Sequence, residues 1–135
     1  MATQIFVNLP VKDLKKSMEF FSQLGYEFNE QFTDETAACM VISDEIYAML
    51  LTHAKFKEFT SKEIADADKT TEVMIALSAD SKDEVNELAD KALQAGGSEA
   101  YDPQDLGFMF SRSFNDLDGH IWEVLWMDMN QVPQE

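Results

Sequence analysis

The stretch with the most chemistry in it is Asp116-Leu117-Asp118-Gly119-His120-Ile121-Trp122-Glu123-Val124-Leu125-Trp126. Asp118-Gly119 is a turn dipeptide, since glycine reaches φ > 0 without steric cost, and the β-branched and aromatic run after it reads as a strand. Alternation puts Trp122, Val124 and Trp126 on one face and Ile121, Glu123 and Leu125 on the other. Two tryptophans and a valine need a covering layer, so Glu123 lies on the opposite side of the sheet between apolar neighbours. Two readings stand for that carboxylate: an acid on a water-facing strand surface, or a cavity-lining acid or metal ligand. His120 shares the Trp122 parity and reads as a capping or surface residue. Arg112 lies in another aromatic strand, on the parity of Phe108, Phe110 and Phe114. There it either faces a ligand and Glu123 or snorkels on the outer surface.

The elements that must position these groups follow from pattern. The chain has 135 residues, one domain's worth, with 45% hydrophobic residues. Ile5 to Pro10 reads as a strand, and Asp13 caps a helix with Leu14, Met18, Phe21 and Leu24 on one stripe, stopped by Gly25. Tyr26 to Thr33, Ala37 to Ser43 and Ile46 to Thr52 read as three strands. The second half repeats the plan: a strand from Glu72 to Ser78, and a capping box Ser81-Lys82-Asp83-Glu84 opening a helix with Val85, Leu88, Ala89, Ala92 and Leu93 at helical spacing. Gly96-Gly97 ends that helix, and strands follow over Ser98 to Tyr101, Phe108 to Phe114 and Ile121 to Met127. The order β-α-β-β-β thus occurs twice, offset by roughly seventy residues, which suggests two fused copies of one unit. Module 1 covers about residues 4–52 and module 2 about 71–128. Between them about 53–70 forms an insert, where Thr60-Ser61-Lys62-Glu63 is a further capping-box match. That insert is either a surface linker or a lid.

Composition narrows the partners. Ten basic against twenty-six acidic residues give a net charge of −16, which repels phosphate backbones and anionic lipid, so nucleic acid and membrane surfaces are poor partners. No apolar run reaches membrane-span length and no basic-then-apolar signal opens the chain, so a cytoplasmic location is expected. The single cysteine, Cys39, sits in the apolar run Ala37 to Ile42 and reads as a buried small hydrophobe.

Two βαβββ modules, a linker and a final Asp-x-Asp-Gly-x-x-x-Glu strand together resemble the vicinal oxygen chelate superfamily of glyoxalase-like lyases, extradiol dioxygenases and fosfomycin and bleomycin resistance proteins. The most specific parts are Val11 to Phe21 with Leu24-Gly25, and Asp116 to Glu123. The resemblance implies an α+β fold in which the modules form a curved eight-strand mixed sheet within one domain, with helices on the convex face and a cup between the modules. It also implies a small-molecule ligand and a homodimer. In that family a metal is held on the cup floor. Carried over, its ligand positions fall on Phe6, on Leu50, on Met74 (or Glu72 if the alignment slips by two) and on Glu123. Phenylalanine and leucine have no lone pair to give and a thioether is a soft donor, so no cofactor is expected. The expected protein is therefore metal-independent. It binds a small, largely apolar molecule among Phe6, Asn8, Leu50, Met74 and Arg112, with Glu123 as the catalytic group if it is an enzyme. Two alternatives stand beside this: a metal-dependent lyase, isomerase or dioxygenase with a divalent ion on relocated ligands such as Glu72, His53 and Glu123, and a non-enzymatic binding or dimerisation module.

Overall fold

A computed structural model describes residues 3–131. The chain divides into two compact units, Met1–Ala65 and Asp66–Glu135, each with its own sheet and helix. Both units run β-α-β-β-β. The first sheet has the order β1-β4-β3-β2 and the second β5-β8-β7-β6. In each, the first strand pairs parallel with the last and the remaining pairs are antiparallel. The class is the expected α+β, with eight strands shared four and four. The division falls inside the predicted insert, with residues 53–65 in the first unit and 66–70 in the second.

In the first unit, β1 (Ile5–Val11) leads into α1 (Leu14–Gln23) through Asp13, whose side chain accepts the Lys16 N–H at 3.1 Å. Gly25 at φ 105° lets the chain leave the helix in a left-handed conformation. α1 buries Leu14, Ser17, Phe20 and Phe21 and packs on β3 (Ala37–Val41) and β4 (Ile46–Thr52). The strand expected from Tyr26 to Thr33 is shorter: β2 is only Glu27–Asn29, followed by a 3₁₀ turn at Glu30–Phe32. The Asn29 side chain accepts the Gln31 N–H and the Thr33 hydroxyl bonds back to the Asn29 carbonyl, so local side-chain bonds displace the ladder. The expected helix at Thr60 also fails. Thr60 Oγ1 accepts the Lys62 N–H in a turn, and the helical piece is instead α2 (His53–Phe56), capped by Thr52 and packed on β1 and β4.

In the second unit, β5 (Met74–Ser78) precedes α3 (Lys82–Gln94). The capping box is present: Ser81 Oγ accepts the Glu84 N–H at 3.1 Å, and Glu84 reaches back to the Asp80 N–H at 2.8 Å. α3 lays Val85, Ala89 and Ala92 on β7 (Met109–Asn115) and β8 (Ile121–Met127), where Trp122, Val124 and Phe114 form the other half of the core. Trp126 is half-buried, with Lys82 Nζ 5.5 Å above its ring. The strand expected over Ser98 to Tyr101 reduces to a single bridge, Ser98 to Asn115. The pairing strand is instead β6, Gln104–Asp105, where a connection is expected from Asp102-Pro103. The Tyr101 N–H explains the shift, because it donates to Ser113 Oγ at 2.9 Å rather than to a backbone carbonyl.

Candidate functional site

Parity and pairing place Glu123 unambiguously. α3 covers the Trp122 and Val124 face, so Glu123, half-buried, projects from the other side of β8. Along β8 that side continues with Ile121 and Leu125. Across the parallel pair β5 contributes Met74, Ala76 and Ser78, with Ala76 directly opposite Glu123. Met74, Ala76 and Ser78 are all exposed. The result is an open apolar strip with one carboxylate and, at its shoulder, the smallest side chain that leaves room beside it. Met74 pairs with Ile121, one step along the same face from the Ala76 and Glu123 pair.

On the β7 side the carboxylate has a fixed partner. The Tyr101 hydroxyl donates to Glu123 Oε2. Ser113, directly across the antiparallel pair from Glu123, holds Tyr101 in position. Its Oγ accepts the Tyr101 N–H at 2.9 Å and donates to the Tyr101 carbonyl at 3.2 Å. Ionisation of the Tyr101 phenol is pushed far up, first by burial and then by the hydrogen bond and the negative charge of Glu123. The phenol is therefore the neutral donor of the pair. Nothing in the local sequence marks Tyr101, Ser113 or Ala76. The available signal is register: Ser113 follows once β7 and β8 are paired, whereas Tyr101 reaches the site from outside a strand.

The other expected residues distribute differently. Arg112 faces Val124 across the ladder and so lies under α3, not beside Glu123. It binds Asp90 Oδ1 at 2.8 Å and Asn86 Oδ1 at 3.1 Å, the snorkelling alternative, because its aromatic-parity face is the helix-covered one. In the first unit Phe6 and Asn8 do project together, and Phe6 stacks on Tyr47 at 4.7 Å between ring centroids. Leu50 does not join them. It pairs with Leu9 and Ala38 on the opposite, helix-covered face and is fully buried, while Tyr47, Met49 and Leu51 share the Phe6 side. His53 opens α2, and Glu72 is exposed ahead of β5 rather than in it. Among the described residues no group of three or more His, Cys, Asp or Glu is placed to hold a metal ion. The donors around Glu123 fit a divalent ion poorly: its neighbours on the strip are a thioether, a methyl and two aliphatic chains, and three or more protein ligands are usual.

The turn before β8 is held by a buried acid that the sequence pattern does not single out for this role. Asp116 Oδ1 accepts the Asp118 and His120 N–H groups at 2.9 and 3.0 Å, and Oδ2 accepts Trp122 Nε1 at 3.0 Å. Burial pushes the Asp116 carboxyl up, against the opposing pull of His120 and these donors. His120 is buried rather than on the surface. Gly119, at φ 89°, sits so close to the backbone of Ala67 that an added Cβ would lie 2.9 Å from it. An open polar cavity of about 290 Å³ lies beside this turn, lined by Asp68, Ser98, Asn115 and Asp116 among others. Cys39 is buried as expected, and burial pushes its thiol up.

Comparison with known proteins agrees with this architecture. Residues 3–43 match a family model described as bleomycin resistance protein-like N-terminal. No curated protein sequence gives a significant match. Among solved structures, a hypothetical protein from S. aureus (SA1046) is 29% identical, with a TM-score of 0.78 over 93% of this chain and 95% of that one. A glyoxalase/bleomycin resistance protein/dioxygenase family enzyme from Burkholderia phytofirmans is similar at 14% identity and a TM-score of 0.76, over 93% and 99% of the two chains. The fosfomycin resistance protein FosX from Mesorhizobium loti is similar at 14% identity and a TM-score of 0.69, over 97% of each chain.

Proposed function

We propose that this chain, which has the glyoxalase-like fold of the vicinal oxygen chelate superfamily, binds a small, largely apolar molecule without a metal, on the strip around Glu123. The observation that carries this reading is a carboxylate held on one oxygen by Tyr101 and flanked by Met74, Ala76, Ile121 and Leu125 on a sheet face that is exposed along β5. The apolar strip supplies affinity by burial, at about 25 cal/mol per Å² covered, and the carboxylate supplies orientation. Glu123 is the proton-handling group of the site and any catalysis rests on it, with Tyr101 fixing its geometry. In the same reading the protein works as a homodimer in the cytoplasm. Its charge of −16 turns it away from nucleic acid, and among the described residues no helix is long and apolar enough to cross a membrane.

Elemental analysis of the purified protein tests metal independence: the expected content of zinc, nickel, iron and manganese is far below one equivalent, and about one tightly held equivalent overturns it. Added divalent metal should likewise give no isomerisation of the methylglyoxal–glutathione adduct at enzyme-like rates. Ala76→Trp, which fills the space beside Glu123, should abolish binding of a neutral apolar probe such as 1-naphthylmethanol. Unchanged binding would remove the site from this face and leave the dimerisation-module reading in its place.

A further inference from the structure

Resting on the proposed site, we propose that its ligand class is the monocation: an amine whose ammonium group binds Glu123 while its apolar body lies along Met74, Ala76, Ile121 and Leu125. Four observations lead there. The first is incomplete satisfaction. Glu123 accepts one hydrogen bond, from Tyr101 to Oε2, while a carboxylate has room for about four, and Oε1 takes none among the described residues.

The second is the absence of a counter-charge on this face. Arg112 is turned under α3 to Asp90 and Asn86. Lys82 is on the α3 side too, near Asp105 at 3.9 Å and over Trp126. No lysine or arginine among the described residues pairs with Glu123. The third is that Tyr101 is a neutral donor held away from ionisation, so it shares the carboxylate's charge without cancelling it. The fourth is the open ground beside the carboxylate, where Ala76 is directly opposite and exposed. An ammonium placed there gains a charge-assisted hydrogen bond at the edge of an apolar surface, where Coulomb attraction is less screened than in bulk water. A carboxylate or phosphate in the same position meets a like charge on a chain that is already strongly acidic. A neutral hydroxyl can donate to Oε1 but forms the weaker, uncharged bond.

The test uses three probes with one apolar body, 1-naphthylmethylamine, 1-naphthylmethanol and 1-naphthoate, titrated calorimetrically into the full-length protein. The amine should bind about tenfold more tightly than the alcohol, and the naphthoate should give no saturable binding. In Glu123→Gln the amine should fall to the affinity of the alcohol, and in Ala76→Trp both should be lost. In the wild-type protein, intermolecular NOEs from the naphthyl ring to the Met74 and Ala76 methyls locate the probe without relying on any variant folding.

Equal binding of amine and alcohol by the wild type overturns the cation class while the site stands. An amine preference that survives Glu123→Gln also overturns it, because it then comes from diffuse surface charge. Failure of amine and alcohol alike, or NOEs elsewhere, overturns the site itself.

Discussion

At the scale of single residues, the Tyr101 hydroxyl matters because it joins a loop to the carboxylate of β8 through one charge-assisted bond. Tyr101→Phe should cost about 1–2 kcal/mol, the range for a hydrogen bond to a charged group at a half-buried site, and should leave Glu123 free to move. The same phenol, with Tyr26, sets an alkaline limit on stability. Burial pushes the Tyr26 hydroxyl from 10.0 up to about 12, and Tyr101 is pushed up as well. Both folded-state values lie above the unfolded ones. Their contribution to stability is therefore fully present below pH 10 and is lost as pH rises from there through the folded values. Chemical unfolding midpoints should fall steeply above pH 10, and Tyr26→Phe and Tyr101→Phe should each flatten that fall. A fall as steep in both variants as in the wild type would refute this assignment.

How far such residues are legible depends on what fixes them. The face of Glu123 follows from alternation along Ile121 to Trp126, because two tryptophans settle which side is covered. Parity within β7 alone does not settle Arg112, since an aromatic face suits a cup as well as a helix. Pairing with Val124 decides it. Leu50 shows the same limit: only its partner Leu9, and not its spacing from Phe6, reveals that the two side chains face apart.

Among the elements, those specified by their own sequence emerge with the expected bounds. β4 and β8 run over Ile46–Thr52 and Ile121–Met127, and both long helices begin at the capping residues read from sequence, Asp13 and Ser81. The misread elements are short ones whose polar side chains bond to the local backbone: Asn29 and Thr33 end β2, Thr60 makes a turn, and Ser113 draws Tyr101 away from the ladder. A period-two pattern cannot show that competition. The turn that launches β8 is the element most exposed to a single change. Gly119→Ala would place a methyl 2.9 Å from the Ala67 backbone at a φ of 89°, combining steric overlap with left-handed strain. It should destabilise the protein by about 1–3 kcal/mol, more than the roughly 1 kcal/mol expected for Ser81→Ala at the α3 cap. Thermal melts of the two variants measured side by side check that order, and a Gly119→Ala protein as stable as wild type would mean that residues 67–68 simply move away.

For the whole molecule, the exposed apolar residues point to association. β1 is an edge strand of its sheet and β5 of the other, and an edge carrying apolar side chains is a template for another chain. β1 exposes Ile5 by 55% and Phe6 by 50%, the latter stacked on Tyr47, and Ile46 is 39% exposed beside Ile5. Ile5 with Ile46 and Phe6 with Tyr47 lie on opposite faces of the sheet, so this edge strand presents apolar side chains on both sides of its unpaired backbone, which suits an isologous contact between two copies. Against it stands the charge of −16 on each copy, which repels at long range and is screened over about 10 Å at 0.1 M salt. The two effects predict a definite pattern. Light scattering at micromolar concentration should give a dimer mass at moderate salt, with dissociation as ionic strength is lowered, since screening weakens the repulsion without weakening apolar burial. Phe6→Glu should shift the protein to monomer at every salt concentration, because it puts a further negative charge into the contact. A wild-type monomer throughout would rule out homodimerisation, and a dimer indifferent to Phe6→Glu would move the contact away from β1.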